Sequence, residues 1–317
     1  MTIRLAIIGF GKIAQDQHLP AIQTNTDFEL VAIASPGATH SNVPVFEDLE
    51  TLLASEMALD AVVLCTPPQI RRAQASRALE AGLHVFLEKP PGASVAELAG
   101  LTQLSAENNT TLFASWHSRF AAAVAPAREW LADSVITSMD IIWKEDVRDW
   151  HPGQQWIWAA GGLGVFDPGI NALSIATEIM PHGLFVTHAT LQFPDNCQTP
   201  IAAEVGLSDG SDTPMHLALD WRQPGPPTCT IDIQTDKGHL QIADGGKTLR
   251  IDDVIQVQDD DIEYAGLYAH FAELIAHGRS DHDFLPFQLA ADAFLLGQRE
   301  VVASFYDDPD TGDTGDA

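Results

Sequence analysis

The chain has 317 residues, 45% of them hydrophobic and 19% charged, enough for one large domain or two ordinary ones with a substantial core. Its formal net charge of −28 argues against nucleic acid or an anionic membrane surface as a partner, because both attract basic patches. No apolar run approaches the roughly 20 residues of a bilayer span. Cys65, Cys197 and Cys229 are widely spaced and odd in number, which fits reduced thiols. Met1-Thr2-Ile3-Arg4-Leu5 enters a strand with no cleavable signal ahead of it, so a cytoplasmic location is expected.

Residues 1–118 alternate strand-length apolar runs with amphipathic runs of helical length. The predicted strands are Ile3–Ile8, Leu30–Ala34, Ala61–Cys65, His84–Leu87 and Thr111–Ala114. The predicted helices are Ile13–Asn25, Leu49–Ser55, Pro68–Ala81 and Val95–Asn108. Pro68 suits a first helical turn and Gly82 a left-handed helix stop. This alternation predicts an α/β fold, a doubly wound parallel sheet of the Rossmann type covered on both faces.

The rhythm changes after Trp116. Residues 119–306 predict a second, α+β domain: a helix near Ala121–Ala132, a strand near Ser138–Trp143, an irregular aromatic stretch and a helix after Asn171. Successive strands then run from Phe185 to Val257, with helices at Gly266–His277 and Leu289–Ser304. The strand run reads as an open antiparallel sheet with helices on one face. That sheet is the surface through which a homo-oligomer would form. Residues 307–317 read as an acidic, disordered tail.

Gly9-Phe10-Gly11-Lys12-Ile13-Ala14 follows the first strand and opens the first helix. There Gly9 permits the tight turn, Gly11 lets backbone approach a pyrophosphate, and free N–H groups of the helix attract the anion. The second strand ends in Ser35-Pro36 without the acid that would pair with the ribose of NAD and repel a 2′-phosphate. NADP is therefore favoured and NAD tolerated, although no arginine stands nearby to reward the phosphate. The cofactor contacts expected are Gly9, Phe10, Gly11, Lys12, Ile13, Ser35, Thr66, Pro67, Glu88 and Lys89.

Lys89, in Glu88-Lys89-Pro90-Pro91-Gly92, stands at the carboxyl edge of the fourth strand, where doubly wound sheets place their ligands. Burial there would lower its pKa and suit it to proton transfer, with Glu88 orienting either the nicotinamide side or the lysine. The Lys89–Pro90 peptide is expected to be cis. Asp167 and Asn171 lie four residues apart at a helix start and so share one face. Asp167 is also readable, as the lesser alternative, as a plain helix cap. His117 follows the fifth strand and is readable as a ligand or as a loop histidine. Trp143, Trp150, Trp156 and Trp158, interleaved with Lys144, Glu145 and His151, form either a carbohydrate platform or core packing. The histidines show no metal-ligand pattern.

Taken together, the glycine loop, Glu88-Lys89-Pro90 and Gly161-Gly162-Leu163-Gly164-Val165-Phe166-Asp167-Pro168-Gly169-Ile170-Asn171 resemble the glucose–fructose oxidoreductase / inositol 2-dehydrogenase family over the whole chain except its tail. The resemblance implies a dehydrogenase with Lys89, Asp167 and Asn171 as its catalytic set. It also implies His117, Glu145, Trp150 and His151, beside Lys89, Asp167 and Asn171, as substrate contacts. Asn171 departs from the family, many of whose members carry a histidine there. Longer strings, including Trp116-His117-Ser118-Arg119 and Lys144 through Trp158, are similar to members that oxidise L-arabinose and D-galactose at C1 to the aldonolactone. The alternatives are an inositol or other polyol dehydrogenase, and a non-catalytic sugar sensor that binds NAD(P).

Overall fold

The computed structural model describes residues 2–259 and 262–306. The acidic tail therefore lies outside the described residues. The chain forms two compact units, Met1–Phe120 with Asp261–Phe284, and Ala121–Asp260 with Leu285–Ala317. This differs from the division at residues 118 and 306, because a helical segment late in the sequence belongs to the first unit.

In the first unit, six strands lie in the order β3-β2-β1-β4-β5-β6. They are β1 (Ile3–Ile8), β2 (Phe28–Ala34), β3 (Val45–Phe46), β4 (Ala61–Leu64), β5 (His84–Leu87) and β6 (Leu112–Ala114). All neighbours pair in parallel, and the strand order reverses between β1 and β4. This switch point is where such sheets bind ligands. The helices are α1 (Leu19–Thr24), α2 (Leu49–Ala54), α3 (Pro68–Glu80), α4 (Val95–Glu107) and α8 (Glu263–Ala276). The predicted helix 13–25 is interrupted by a π-turn at Ala14–His18, which runs on into α1. Gly82 takes φ +76° after α3, as expected of a helix stop.

One apolar cluster joins Leu5, Ile7, Val63, Phe86 and Phe113 of the strands to Tyr264, Leu267, Tyr268 and Phe271 of α8. Phe86 meets Phe113 edge to face at 5.0 Å and stacks on Tyr268 at 5.5 Å. Each such buried aromatic contributes up to about 3 kcal/mol through burial. The chain beyond α8 pairs with the outer side of β6: Ala114 N–H donates to Asp281 O at 2.9 Å, and Asp281 N–H to Leu112 O at 3.1 Å. These contacts, distant in sequence, place α8 in the first unit.

In the second unit, nine strands lie in the order β14-β13-β12-β11-β7-β10-β9-β8-β15. They are β7 (Ile136–Lys144), β8 (Phe185–Pro194), β9 (Ala202–Ser208), β10 (Met215–Asp220), β11 (Thr228–Thr235), β12 (Gly238–Ala243), β13 (Thr248–Ile251), β14 (Val254–Gln258) and β15 (Gly297–Val302). The sheet is mixed, since β10 runs parallel to β7 and β15 parallel to β8. The helices are α5 (Val124–Leu131), α6 (Val147–Trp150), α7 (Phe166–Ile179) and α9 (Leu285–Leu296). Met139, Ile141 and Trp143 of β7 are buried, whereas Asp140 on the opposite face is exposed, as strand alternation requires.

Two predicted helices are corrected. The helix expected after Asn171 begins at Phe166, so Asp167 and Asn171 both lie inside it. The helix expected over Leu289–Ser304 ends at Leu296, and Gly297–Val302 is strand β15. A Cβ at Gly297 would lie 2.5 Å from the Ala293 carbonyl oxygen, so glycine suits the change of path.

Candidate functional site

The glycine loop leaves β1 at Gly9, whose N–H donates to Ala34 O at 2.8 Å and whose φ is +87°. A Cβ there would meet Thr66 Cγ2 at 2.9 Å, so glycine is required by both backbone and space. By contrast, a Cβ at Gly11 would meet no atom within 4 Å. The loop thus offers open backbone with the helix from Lys12 directly behind it, a cradle that fits a pyrophosphate. Lys12 is exposed and paired with Asp16. The half-buried Ser35 is held at the end of β2 by its N–H to Phe46 O at 3.0 Å. The Phe10 ring meets His40 edge-on at 6.0 Å.

Beyond β4, Thr66 Oγ1 donates to Gln74 Oε1 at 2.5 Å, and Pro67 leads into α3. Arg71 of α3 is 3% exposed, and its guanidinium donates to the carbonyls of Thr66, Glu88 and Pro90. One side chain therefore joins the carboxyl ends of β4 and β5 around Lys89. Sequence reasoning missed Arg71, because an arginine on an amphipathic helix reads as a solvated charge. The Lys89–Pro90 peptide is cis, as expected, and Lys89 is half-buried.

Glu88 turns its carboxylate into the unit. Its Oε1 accepts from the Tyr264 hydroxyl at 2.8 Å and lies 3.3 Å from His18 Nε2; His18 Nδ1 in turn lies 2.8 Å from the Tyr268 hydroxyl. Burial pushes the Glu88 carboxyl up. The His18 hydrogen bond and the charges of His18, His117 and Lys89 outweigh it and hold the group at about 2. His117 Nδ1 pairs with Glu263 Oε2 at 2.8 Å, and its ring stacks on Tyr264 at 5.4 Å. Burial pulls His117 down, but the charge and hydrogen bond of Glu263, with the charge of Glu88, raise it overall. His18, Tyr264 and Tyr268 were also missed; their apolar spacing marks them as core but not what they touch.

In the second unit, Asp167 stands in the first turn of α7 and is 1% exposed. The N-cap is Val165, so the structure does not use Asp167 as a cap. Oδ2 of Asp167 lies 3.1 Å from His151 Nε2. Asn171 is half-buried one turn further along α7. The helix can lie this close to the sheet because a Cβ at Gly169 would meet Leu219 at 2.5 Å. Glu145 is buried, and its Oε1 accepts from Trp221 Nε1 at 3.4 Å. The four indoles divide. Trp143 and Trp158 are core, Trp158 packing on Trp221 at 5.3 Å, whereas Trp150 is 52% exposed and Trp156 half-buried.

Among the described residues, no three His, Cys, Asp or Glu side chains gather to hold a metal ion, and no helix is long and apolar enough to cross a membrane.

Residues 3–115 match the oxidoreductase family with an NAD-binding Rossmann fold. The chain is 45% identical over 308 residues to a galactose 1-dehydrogenase of Pseudomonas fluorescens, covering 96% of this chain and 99% of that one. A solved D-galactose-1-dehydrogenase from Rhizobium etli is 50% identical and superposes with a TM-score of 0.92, covering 96% and 98% of the two chains. A 3-ketoreductase from Actinomadura kijaniata, solved with NADP, shares the fold alone, with a TM-score of 0.80, 19% identity, and 95% and 100% of the chains covered. With such identity sustained across nearly the full length of both chains, this protein is an oxidoreductase and belongs to the Gfo/Idh/MocA family.

Proposed function

We propose that the protein oxidises a cyclic aldose at C1 to the aldonolactone, acting on D-galactose and L-arabinose, with NADP preferred and NAD accepted. The observation that carries this reading is identity of 45–50% along nearly the whole chain to two galactose 1-dehydrogenases. The two sugars share their stereochemistry from C1 to C4 and differ only in the substituent at C5, so one set of contacts serves both.

Gly9, Phe10, Gly11, Lys12, Ile13, Ser35, Thr66, Pro67 and Glu88 would hold the cofactor, whose nicotinamide ring supplies a hydride acceptor. Lys89 accepts the proton of the C1 hydroxyl as the C1–H bond breaks and the C1–O bond becomes a carbonyl. Glu88 and Arg71 fix the backbone on either side of Lys89. Asp167, Asn171, Glu145, Trp150, His151 and His117 serve as sugar contacts, with Asp167 also assisting proton transfer. Positioning of this kind is a large share of what hydride transfer needs.

A panel of free aldoses and myo-inositol with NADP and with NAD, read as reduced-cofactor absorbance, tests the reading. D-galactose and L-arabinose should be the best substrates, with a lactone product. Oxidation of inositol but of no aldose would overturn it.

A further inference from the structure

His151 lies in the turn after α6, its N–H bonded to Val147 O at 2.8 Å. Its ring packs against Trp221 with centroids 5.5 Å apart and meets Trp156 edge-on at 6.2 Å. Both ring nitrogens have partners. Nε2 is 3.1 Å from Asp167 Oδ2, and Nδ1 is 3.3 Å from Gln154 Oε1.

Hydrogen-bond accounting locates the protons. An indole N–H only donates, and that of Trp156 points at Gln154 Oε1 at 2.9 Å. The Gln154 atom it meets is therefore the amide oxygen, which has no proton to give. Nδ1 of His151 must then be the donor toward Gln154. That leaves Nε2 facing a carboxylate oxygen that is 2% exposed as a side chain. Two bare lone pairs would repel there, so one proton lies between them, on the ring or on the carboxyl group.

We infer that His151 is a positioning residue for the dehydrogenation, sharing one exchangeable proton with Asp167 in an orientation fixed by Gln154 and Trp156. This rests on the sugar-dehydrogenase reading of the same residues. Asn171, one turn along α7, has an amide and no such proton, so the imidazole that meets Asp167 comes from the turn after α6. Charged groups on the neighbouring elements include Glu145, Arg148 and Asp149. Glu145 accepts from Trp221, whose ring packs on His151. On its own turn Arg148 is directed to Asp146 and to the Tyr306 carbonyl, and Asp149 is exposed.

Protein labelled with 15N-histidine, without substrate, gives a first test by long-range 1H–15N spectra, with His151 assigned by its loss in His151→Gln. The expected result is a proton on Nδ1, the ring nitrogen facing Gln154 Oε1. A neutral ring with bare Nδ1 would overturn the inference whether or not the protein oxidises sugars. Gln154→Leu removes the acceptor without touching Asp167 and should let the other tautomer appear; an unchanged tautomer would contradict the orienting role.

The second test is kinetic. His151→Gln keeps a donor toward Asp167 but has no ring proton to share. Turnover on D-galactose should fall about tenfold or more and the acid side of the pH–rate profile should shift, beyond any rise in KM from the lost sugar contact. An unchanged profile with only KM raised would reduce His151 to a sugar contact. Failure of wild type on every sugar would instead count against the function and leave the spectroscopic result standing.

Discussion

Tyr264 donates its hydroxyl to the Glu88 carboxylate at 2.8 Å, across 176 residues of sequence. The tyrosine comes from α8, so a helix near the chain's end fixes the residue that precedes Lys89. The pair is buried, and the loss of a hydrogen bond to a buried charge is costly. Tyr264→Phe keeps the ring and removes the donor, and should lower stability by about 2 kcal/mol in urea denaturation.

The same network gives a pH dependence with a defined sign. Glu88 is held at about 2, below its ordinary 4.5, so its ionisation stabilises the fold above about pH 4.5 and that contribution is lost as pH falls toward 2. Glu88→Gln should be less stable near neutrality yet show a shallower loss of stability across that acid range. An acid-unfolding curve as steep as that of wild type would contradict the charge assigned to Glu88.

Arg71→Lys should not be conservative. Three carbonyls, those of Thr66, Glu88 and Pro90, share one guanidinium, and an ammonium on a flexible stem does not match that spread. The variant should lose about 2 kcal/mol or more of stability and bind NADP more weakly. Denaturant titration and fluorescence titration of the cofactor measure the two effects.

At the end of β2, Ser35 neither repels nor strongly rewards a 2′-phosphate, so NADP should bind more tightly than NAD by less than about tenfold. Ser35→Asp should reverse the order, because a carboxylate pairs with the ribose hydroxyl and repels the phosphate. Titration of both cofactors against both proteins checks this, and a strong wild-type preference for NAD would contradict it.

Asn171→Ala should lower turnover without moving the pH midpoint of activity, since an amide has no titratable group near neutral pH. Asn171→His should also remain poor, because the larger ring crowds the sugar and His151 already supplies an imidazole at Asp167. A pH–rate profile for each variant decides the matter. A fully active histidine variant with a new midpoint near about 6.5 would show a site built for a histidine at that position.

The legible parts of the sequence were those governed by local rules. Strand–turn–helix alternation, Gly9, Pro68 and Gly82 each act within a few residues, and all were readable. Long-range pairing was not. Nothing near Tyr264 states that its hydroxyl meets Glu88, and nothing near Arg71 states that its charge is buried. The end of α9 was a missed signal rather than an absent one. Gly297 stands at the helix stop, and the β-branched Val301 and Val302 follow in a strand, but the Leu-rich run ahead of them extended the helical reading. Likewise, tryptophan clustering could not separate the core indoles Trp143 and Trp158 from the open Trp150, because burial is set by the sheet and not by spacing.

The central claim, oxidation at C1 with Lys89 as proton acceptor, is tested most directly with D-galactose deuterated at C1. With NADP and wild-type protein, the label should appear in the reduced cofactor beside unlabelled lactone. Lys89→Met should bind NADP with little change yet transfer no label. Label retained in the sugar product, or transfer by Lys89→Met at near wild-type rate, would contradict the account.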